Sequence, residues 1–251
     1  MYELSQQQLS AMHDLYTRIS DLEQLKSDMI RMAAHDLRNP LSGVKGFAEL
    51  LLREPLTDTQ HAYIEIIQDS SRRMEKIITD ILSLERIDAL VEMKDAPIFD
   101  LRDLVAESYH DQTESALSKG LDYKLSMADE PICVRGDRPQ LREAVDNLVV
   151  NAIKYTPENG SVFVQTCLDG GKAIVRVKDT GIGVMIDQQE RLFQPFFRAY
   201  SPEMSGIAGT GLGLHLVKKI VERHHGQMIV ESVYQQGSTF GFELSADHLA
   251  Q

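Results

Sequence analysis

Met32 to Leu51 reads MAAHDLRNPLSGVKGFAELL, and its one histidine, His35, interrupts what is otherwise an ordinary amphipathic helix. Asp36 is adjacent, Asn39 lies one turn on at i+4 on the same face, and Arg38 adds a cation. Pro40 removes a backbone N–H and crowds the carbonyl of Asp36, which costs a helix interior about 3 kcal/mol. The apolar pattern nevertheless continues through Leu41, Val44, Phe47, Leu50 and Leu51, so a kinked helix is expected rather than a terminus. A lone helical histidine is ordinarily a surface or satisfied core residue. Here the neighbouring carboxylate can hold one ring nitrogen protonated and leave the other as a neutral nucleophile at about pH 7.

Upstream, residues 1–32 contain no Gly or Pro. Met12, Leu15, Ile19, Leu22 and Met29 fall near a 3,4 spacing with charged residues between them, a short heptad pattern that predicts a parallel coiled coil running directly into the His35 helix. Downstream, the helix should end near Arg53, with Glu54, Pro55 and Leu56 as the turn and Thr57 or Asp58 as the next cap. A second helix is expected from Asp58 to Ala89, with Ala62, Ile66, Ser70, Met74, Ile77, Ile81 and Leu84 on one stripe. Two antiparallel helices with one apolar face each cannot bury those faces alone. Pairing with a second copy into a four-helix bundle solves that.

At 251 residues and 43% apolar content the chain can bury a real core, in one large or two modest domains. A net charge of -12 argues against nucleic acid as the main partner, because phosphate backbones select Lys and Arg; a locally held nucleotide is not excluded. Cys133 and Cys167 are too few for a disulfide framework and lack metal-ligand spacing, which makes a reducing cytoplasm the expected location. There is no run of about 20 apolar residues and no signal-peptide pattern.

After a short linker containing Pro97 the pattern changes to mixed helices and strands. Helices are expected at Leu101–Lys119, Arg138–Tyr155 and Leu212–His224. Strands are expected at Leu121–Met127, Pro131–Arg135, Ser161–Leu168 and Lys172–Asp179, with a final hairpin from Gln227 to Leu244. That order predicts an α/β sandwich with one layer of mostly antiparallel sheet and one of helices.

Four places in this half carry ligand chemistry. In DNLVVNAIKYTP, Asn147 and Asn151 share a helical face, with Lys154 and Tyr155 just beyond; the pair is either an inter-helix amide contact or a source of an oxygen ligand for a hard cation such as Mg²⁺. In VKDTGIGV, a strand ending at Asp179 is followed by Gly181 and Gly183. The carboxylate there either caps a tight turn or accepts from an exocyclic amine such as that of adenine. In GTGLGLHLVKK, Gly209, Thr210, Gly211, Leu212 and Gly213 lead into a helix whose free N–H groups and dipole suit phosphate. A Rossmann reading fails for lack of a βαβ unit. Last comes LFQPFFR, whose Phe193, Phe196 and Phe197 read most simply as core. The small and polar segment from Arg198 to Gly209 is expected to be a mobile lid.

The seven residues from His35 to Leu41 match the phosphoacceptor box of bacterial sensor histidine kinases, and the four later motifs occur in the order and spacing of their catalytic ATP-binding domain. The chain thus resembles a two-component sensor histidine kinase. The resemblance implies a coiled-coil signalling helix over 1–28, a dimerisation and histidine phosphotransfer domain over 29–91, a linker over 92–99 and a Bergerat-type GHKL ATP-binding domain over 100–246. It implies ATP and Mg²⁺ as cofactors, the metal at Asn151 with Asn147 beside it, adenine at Asp179, and phosphates at Lys154 and the Gly209–Gly213 loop. Tyr155 would pack near the base or ribose, and the Thr239 hydroxyl would help read adenine through water. It implies a homodimer that phosphorylates His35 and passes the group to an aspartate of a response regulator, with an upstream sensor domain and a receiver expected outside this chain. Asp36 would orient the imidazole, and Asn39 would orient water for dephosphorylating the regulator.

ATP-hydrolysing GHKL relatives carry Glu where this chain has Asn147. An amide cannot act as the general base for water, so the γ-phosphoryl should persist until it meets His35. The rival readings are a GHKL serine kinase or ATPase, which would need neither His35 nor Asp36, and a non-catalytic dimeric scaffold, which would not need an intact nucleotide site. Gln227 in place of a second glycine, and no acidic residue after Arg198, are departures from the family pattern that touch none of this chemistry.

Overall fold

The computed structural model describes residues 2–88, 96–204, 207 and 209–247. The chain forms two compact units, 1–86 and 87–251. The first half of the expected linker, residues 92–95, lies outside the described residues, and Ile98 and Phe99 at its end belong to a strand.

In the first unit, α1 runs unbroken from Tyr2 to Leu51 with Pro40 inside it, and α2 spans Asp58–Asp88. Thr57 and Gln60 close the start of α2: the Gln60 Oε1 accepts from the Thr57 N–H and the Thr57 Oγ1 accepts from the Gln60 N–H. This is a capping box, which satisfies donors the first turn cannot. Ala34 and Leu41 of α1 pack on Ile78 and Leu82 of α2. Ile64, Ser71 and Ile78, spaced by seven, are buried along α2, as are Asp80, Glu85 and Ile87 nearer its end, whereas Ile66 and Met74 of the expected stripe stay exposed. Each helix therefore has two apolar faces, one closed by its hairpin neighbour and one left open. Periodicity alone merges them.

In the second unit, β3 (Cys133–Arg135) falls within the expected Pro131–Arg135 strand and pairs antiparallel with β1 (Ile98–Asp100), a strand the sequence pattern does not announce. The main sheet has the order β2-β4-β5-β7-β6, with β2 Asp122–Ser126, β4 Ser161–Asp169, β5 Lys172–Asp179, β6 Gln227–Val233 and β7 Gly237–Ser245. The β2–β4 pairing is parallel and the others antiparallel. The strand residues facing the helices, Val162, Val164, Val175, Val177, Phe242 and Leu244, are buried. They pack with the apolar sides of α3 (Leu101–Ser118), α4 (Arg138–Tyr155) and α6 (Gly213–Arg223), including Leu104, Leu148, Leu216 and Ile220. Strand alternation meeting helical periodicity thus makes one core between two layers. A short α5 (Ile186–Gln189) and a 3₁₀ turn (Pro202–Met204) lie on the connection between β5 and α6.

Candidate nucleotide site and phosphoacceptor histidine

His35 is 71% exposed on α1, and its Nδ1 lies 3.3 Å from Asp36 Oδ1. With that nitrogen engaged by the carboxylate, Nε2 carries the lone pair available to an electrophile. Asn39 is likewise exposed. The Ser42 hydroxyl donates to the Arg38 carbonyl, beside Pro40.

In the second unit, α4 is capped by Asp137, whose carboxylate accepts from the Gln140 N–H at 3.0 Å, and Pro139 occupies its first turn. Asn147 and Asn151 are half-buried on the side turned to the start of α6. Asn147 Nδ2 donates to the Glu143 carbonyl at 2.8 Å. A Cβ placed on Gly213 would lie 2.9 Å from Asn147 Oδ1 and 3.9 Å from Asn151 Nδ2, so the loop closes directly on the Asn147 amide with Asn151 at ordinary contact distance. Among the described residues the Asn151 side chain has no hydrogen-bond partner. A half-buried amide left open in this way fits a metal or phosphate ligand. No group of three or more His, Cys, Asp or Glu side chains able to hold a metal occurs among the described residues, so Mg²⁺ would draw the rest of its shell from phosphate and water.

The loop itself is shaped by close approach. Gly211 has φ +74°, and a Cβ there would meet the carbonyl carbon of Phe196 at 2.7 Å. A Cβ on Gly209 would meet Lys154 Nζ at 2.7 Å, with Tyr155 Oη and Arg198 Nε close behind. Lys154 Nζ donates to Tyr155 Oη at 3.2 Å. No side chain caps α6, although Thr210 Oγ1 accepts from the Leu212 N–H. The remaining first-turn N–H groups and two nearby cations give this loop the electrostatics of an anion site.

Asp179 ends β5 and is 5% exposed. Its Oδ1 accepts from the Gly181 N–H at 2.8 Å and the Ser238 N–H at 3.2 Å. Burial nevertheless pushes its pKa up to about 6, the two backbone donors opposing that rise. Gly181 and Gly183 let the following loop pass against the Tyr155 carbonyl and against Val233, where any Cβ would collide.

Thr239 is a correction. The register sets Ser238 opposite Asp179 and Thr239 opposite Lys178, and residues directly opposite in an antiparallel pair share a face. Thr239 therefore lies on the sheet face away from Asp179, and Ser238 is the hydroxyl beside it. Ser238 Oγ lies 2.9 Å from Ser232 Oγ, which accepts from the Val184 N–H of the glycine loop after Asp179. One residue of strand register separates the two assignments, and only the β5–β7 pairing reveals it. The expected aromatic core is also corrected. Leu192 is buried, but Phe196 is 64% exposed with φ +62°, while Phe193 and Phe197 are half-buried. Residues 205, 206 and 208 of the expected lid lie outside the described residues. In the rest of it, Gln188 holds the Tyr200 backbone on both its N–H and its carbonyl, and Tyr234 Oη donates to Glu203 at 2.7 Å.

A two-layer sheet and helix unit with paired asparagines, an Asp-x-Gly-x-Gly turn and a glycine loop opening a helix is the GHKL type of ATPase fold, here following a histidine-bearing helical hairpin. Comparison with known proteins agrees. Residues 25–90 match the His Kinase A (phospho-acceptor) domain, and residues 136–248 match the histidine kinase-, DNA gyrase B- and HSP90-like ATPase family. The phosphate regulon sensor protein PhoR of Pseudomonas aeruginosa is 33% identical over 239 residues, covering 94% of this chain and 53% of its own. Full-length ShkA in complex with AMPPNP is similar with a TM-score of 0.70 at 27% identity, over 89% of this chain and 47% of that one. Histidine kinase ThkA is similar both as its catalytic domain (TM-score 0.52, 30% identity, 59% of this chain and 94% of that one) and in complex with the response regulator protein TrrA (TM-score 0.60, 27% identity, 86% and 60%). The chain belongs to the sensor histidine kinases of two-component systems. It spans about half the length of PhoR. No described helix is long and apolar enough to cross a membrane.

Proposed function

We propose that this chain is the kinase portion of a sensor protein, which uses ATP to phosphorylate His35 and passes the group to an aspartate of a response regulator. The observation that carries the reading is an exposed imidazole with one nitrogen held by Asp36, in the same chain as a nucleotide-shaped site. The Nε2 lone pair of His35 attacks the γ-phosphorus in line, the bond to the β,γ-bridging oxygen breaks, and ADP leaves. Asp36 accepts a hydrogen bond from the Nδ1 proton and stabilises the positive charge that develops on the ring. Asp179 accepts from the adenine amine, and Ser238 rather than Thr239 supplies the hydroxyl beside it. Tyr155 lies by the base or ribose, while Lys154, Arg198 and the N–H groups of Gly209–Gly213 neutralise the phosphates. Bound Mg²⁺, held through Asn151 with Asn147 adjacent, would neutralise charge building on the phosphates. Asn147 offers no carboxylate to activate water, which protects the γ-phosphoryl from hydrolysis in the site.

Transfer to a regulator is supported by the TrrA complex of the similar kinase ThkA. Asn39, one turn from His35, is suited to orient water against the regulator's phosphoaspartate, giving phosphatase activity on the same surface. The open faces of α1 and α2, with the heptad of residues 1–28, support a homodimer, and a cytoplasmic location follows from the need for ATP and a regulator. The test is a time course with γ-labelled ATP, Mg²⁺ and a purified receiver domain. Label should enter the kinase first and then appear on the receiver in a hydroxylamine-sensitive form. Label that enters the kinase and is never passed to any receiver aspartate would overturn the transfer.

A further inference from the structure

We propose that Lys119, outside every motif above, is a positioning residue for the nucleotide: it braces the last turn of α4, the turn that presents Asn151, Lys154 and Tyr155. The inference rests on the ATP reading of that site.

A helix leaves its last four carbonyls without intrahelical partners. In α4 those belong to residues 152–155, and each has an identifiable partner. The Ala152 carbonyl accepts from the Thr156 N–H at 3.1 Å and from Thr156 Oγ1 at 2.7 Å. The Tyr155 carbonyl accepts from the Ile182 N–H at 3.2 Å, in the loop after Asp179. The other two depend on one side chain: Lys119 Nζ donates to the Ile153 carbonyl at 2.7 Å and to the Lys154 carbonyl at 2.9 Å. An ammonium at this end also opposes the negative pole of the helix dipole.

The chain builds this contact deliberately. Lys119 is the C-cap of α3, and Gly120 follows with φ +70°, its N–H bonded to the Leu117 carbonyl while the Leu121 N–H reaches Ala116. That left-handed step ends α3 at the point where the Lys119 stem runs under α4. The ammonium is half-buried, and burial lowers its pKa. A charge is kept in that place at a desolvation penalty, which the Glu158 carboxylate partly offsets, and the two carbonyls are what it bonds there.

The consequence runs straight into the site. The Lys154 whose carbonyl is held sends its Nζ against Gly209 of the phosphate loop, and the next carbonyl, Tyr155, anchors Ile182 beside Gly181. Slackening this turn moves the phosphate side and the base side together. Loss of Lys119 should therefore weaken nucleotide binding while leaving the chemistry at His35, on the other unit, untouched.

The test compares K119M and K119R with wild type in the full chain. AMPPNP binding with Mg²⁺ is measured by calorimetry, KM and kcat for autophosphorylation are measured separately, and amide exchange across residues 152–156 is followed in nucleotide-free protein. K119M should bind AMPPNP about tenfold more weakly, equivalent to the loss of roughly one net hydrogen bond, with a matching rise in KM, an unchanged kcat and faster exchange confined to that turn. K119R, which keeps the charge and the donors, should fall within about threefold of wild type. If K119M fails to fold, K119Q retains a donor without the charge and should lie between the two. Wild type that binds while K119M binds equally overturns this proposal alone, as does weakening that K119R does not rescue. Wild type that binds no AMPPNP overturns the ATP reading itself and this proposal with it.

Discussion

Asp179 shows how a residue can be chosen for binding against stability. Its folded pKa of about 6 stands above the ordinary carboxylate value because the carboxyl is buried. The sign follows from linkage. Below the unfolded pKa both states are protonated and burial carries no charge penalty; as pH rises the unfolded chain ionises first, and above about 6 the full penalty is present. A gap of about two units corresponds to roughly 3 kcal/mol. Asp179→Asn, whose side-chain oxygen can still accept from Gly181 and Ser238, should therefore be more stable than wild type by about 1–3 kcal/mol at pH 8, with the difference vanishing at about pH 3. Parallel denaturant titrations at the two pH values check this. Wild-type AMPPNP affinity should also fall as pH drops through about 6, because a protonated Asp179 no longer presents an ionised acceptor to the adenine amine. Calorimetry across pH 5–8 on wild type and Asp179→Asn measures it, and a pH-independent wild-type affinity would remove the carboxylate from base recognition.

Among the elements, α4 and the loop into α6 carry most of the proposed nucleotide contacts. Gly211 is held at φ +74° under the Phe196 carbonyl, so an alanine there meets both a backbone collision and an unfavourable dihedral. Gly211→Ala should weaken AMPPNP binding at least tenfold while lowering stability by only about 1–2 kcal/mol, read by calorimetry and by thermal melting. How far such features can be read in advance depends on how local they are. The asparagines at i, i+4, the Asp-x-Gly-x-Gly turn and the glycine loop are set by local spacing, and all were legible. Ser238 was not: its place beside Asp179 depends on the register between strands β5 and β7, sixty residues apart in the chain to within one position. Lys119 was hidden for a similar reason. A lysine before a glycine reads as an ordinary helix end, and only the packing of α3 beside α4 gives it two carbonyls. Phe196 was misread because apolar character suggested core, whereas its ring is exposed and its backbone carbonyl is what lies close against Gly211.

At the scale of the whole molecule, the sequence indicated two kinds of unit through a change of period, from uninterrupted 3,4 spacing to alternating strands and helices. It also showed that the hairpin has more apolar surface than one copy can cover. What periodicity left unsorted was which residues face the hairpin neighbour and which face outward. Ile64, Ser71 and Ile78 turn inward, while Phe47, Tyr63, Ile66 and Met74 remain exposed. The double change Ile66→Glu and Met74→Glu should place charges on that open face. It should shift the protein from dimer toward monomer in light scattering, while AMPPNP binding by the second unit stays within about twofold of wild type. A dimer unaffected by both charges would locate its interface elsewhere. The account as a whole stands on one covalent bond, between the γ-phosphoryl group and the imidazole of His35. The most direct measurement is incubation of wild type and His35→Gln with γ-labelled ATP and Mg²⁺, followed by acid and alkali treatment and peptide mapping. Acid-labile, alkali-stable label on the peptide containing residue 35, absent from His35→Gln although that variant still binds AMPPNP, is the expected result. Label of equal amount in His35→Gln, or label that resists acid, would contradict it.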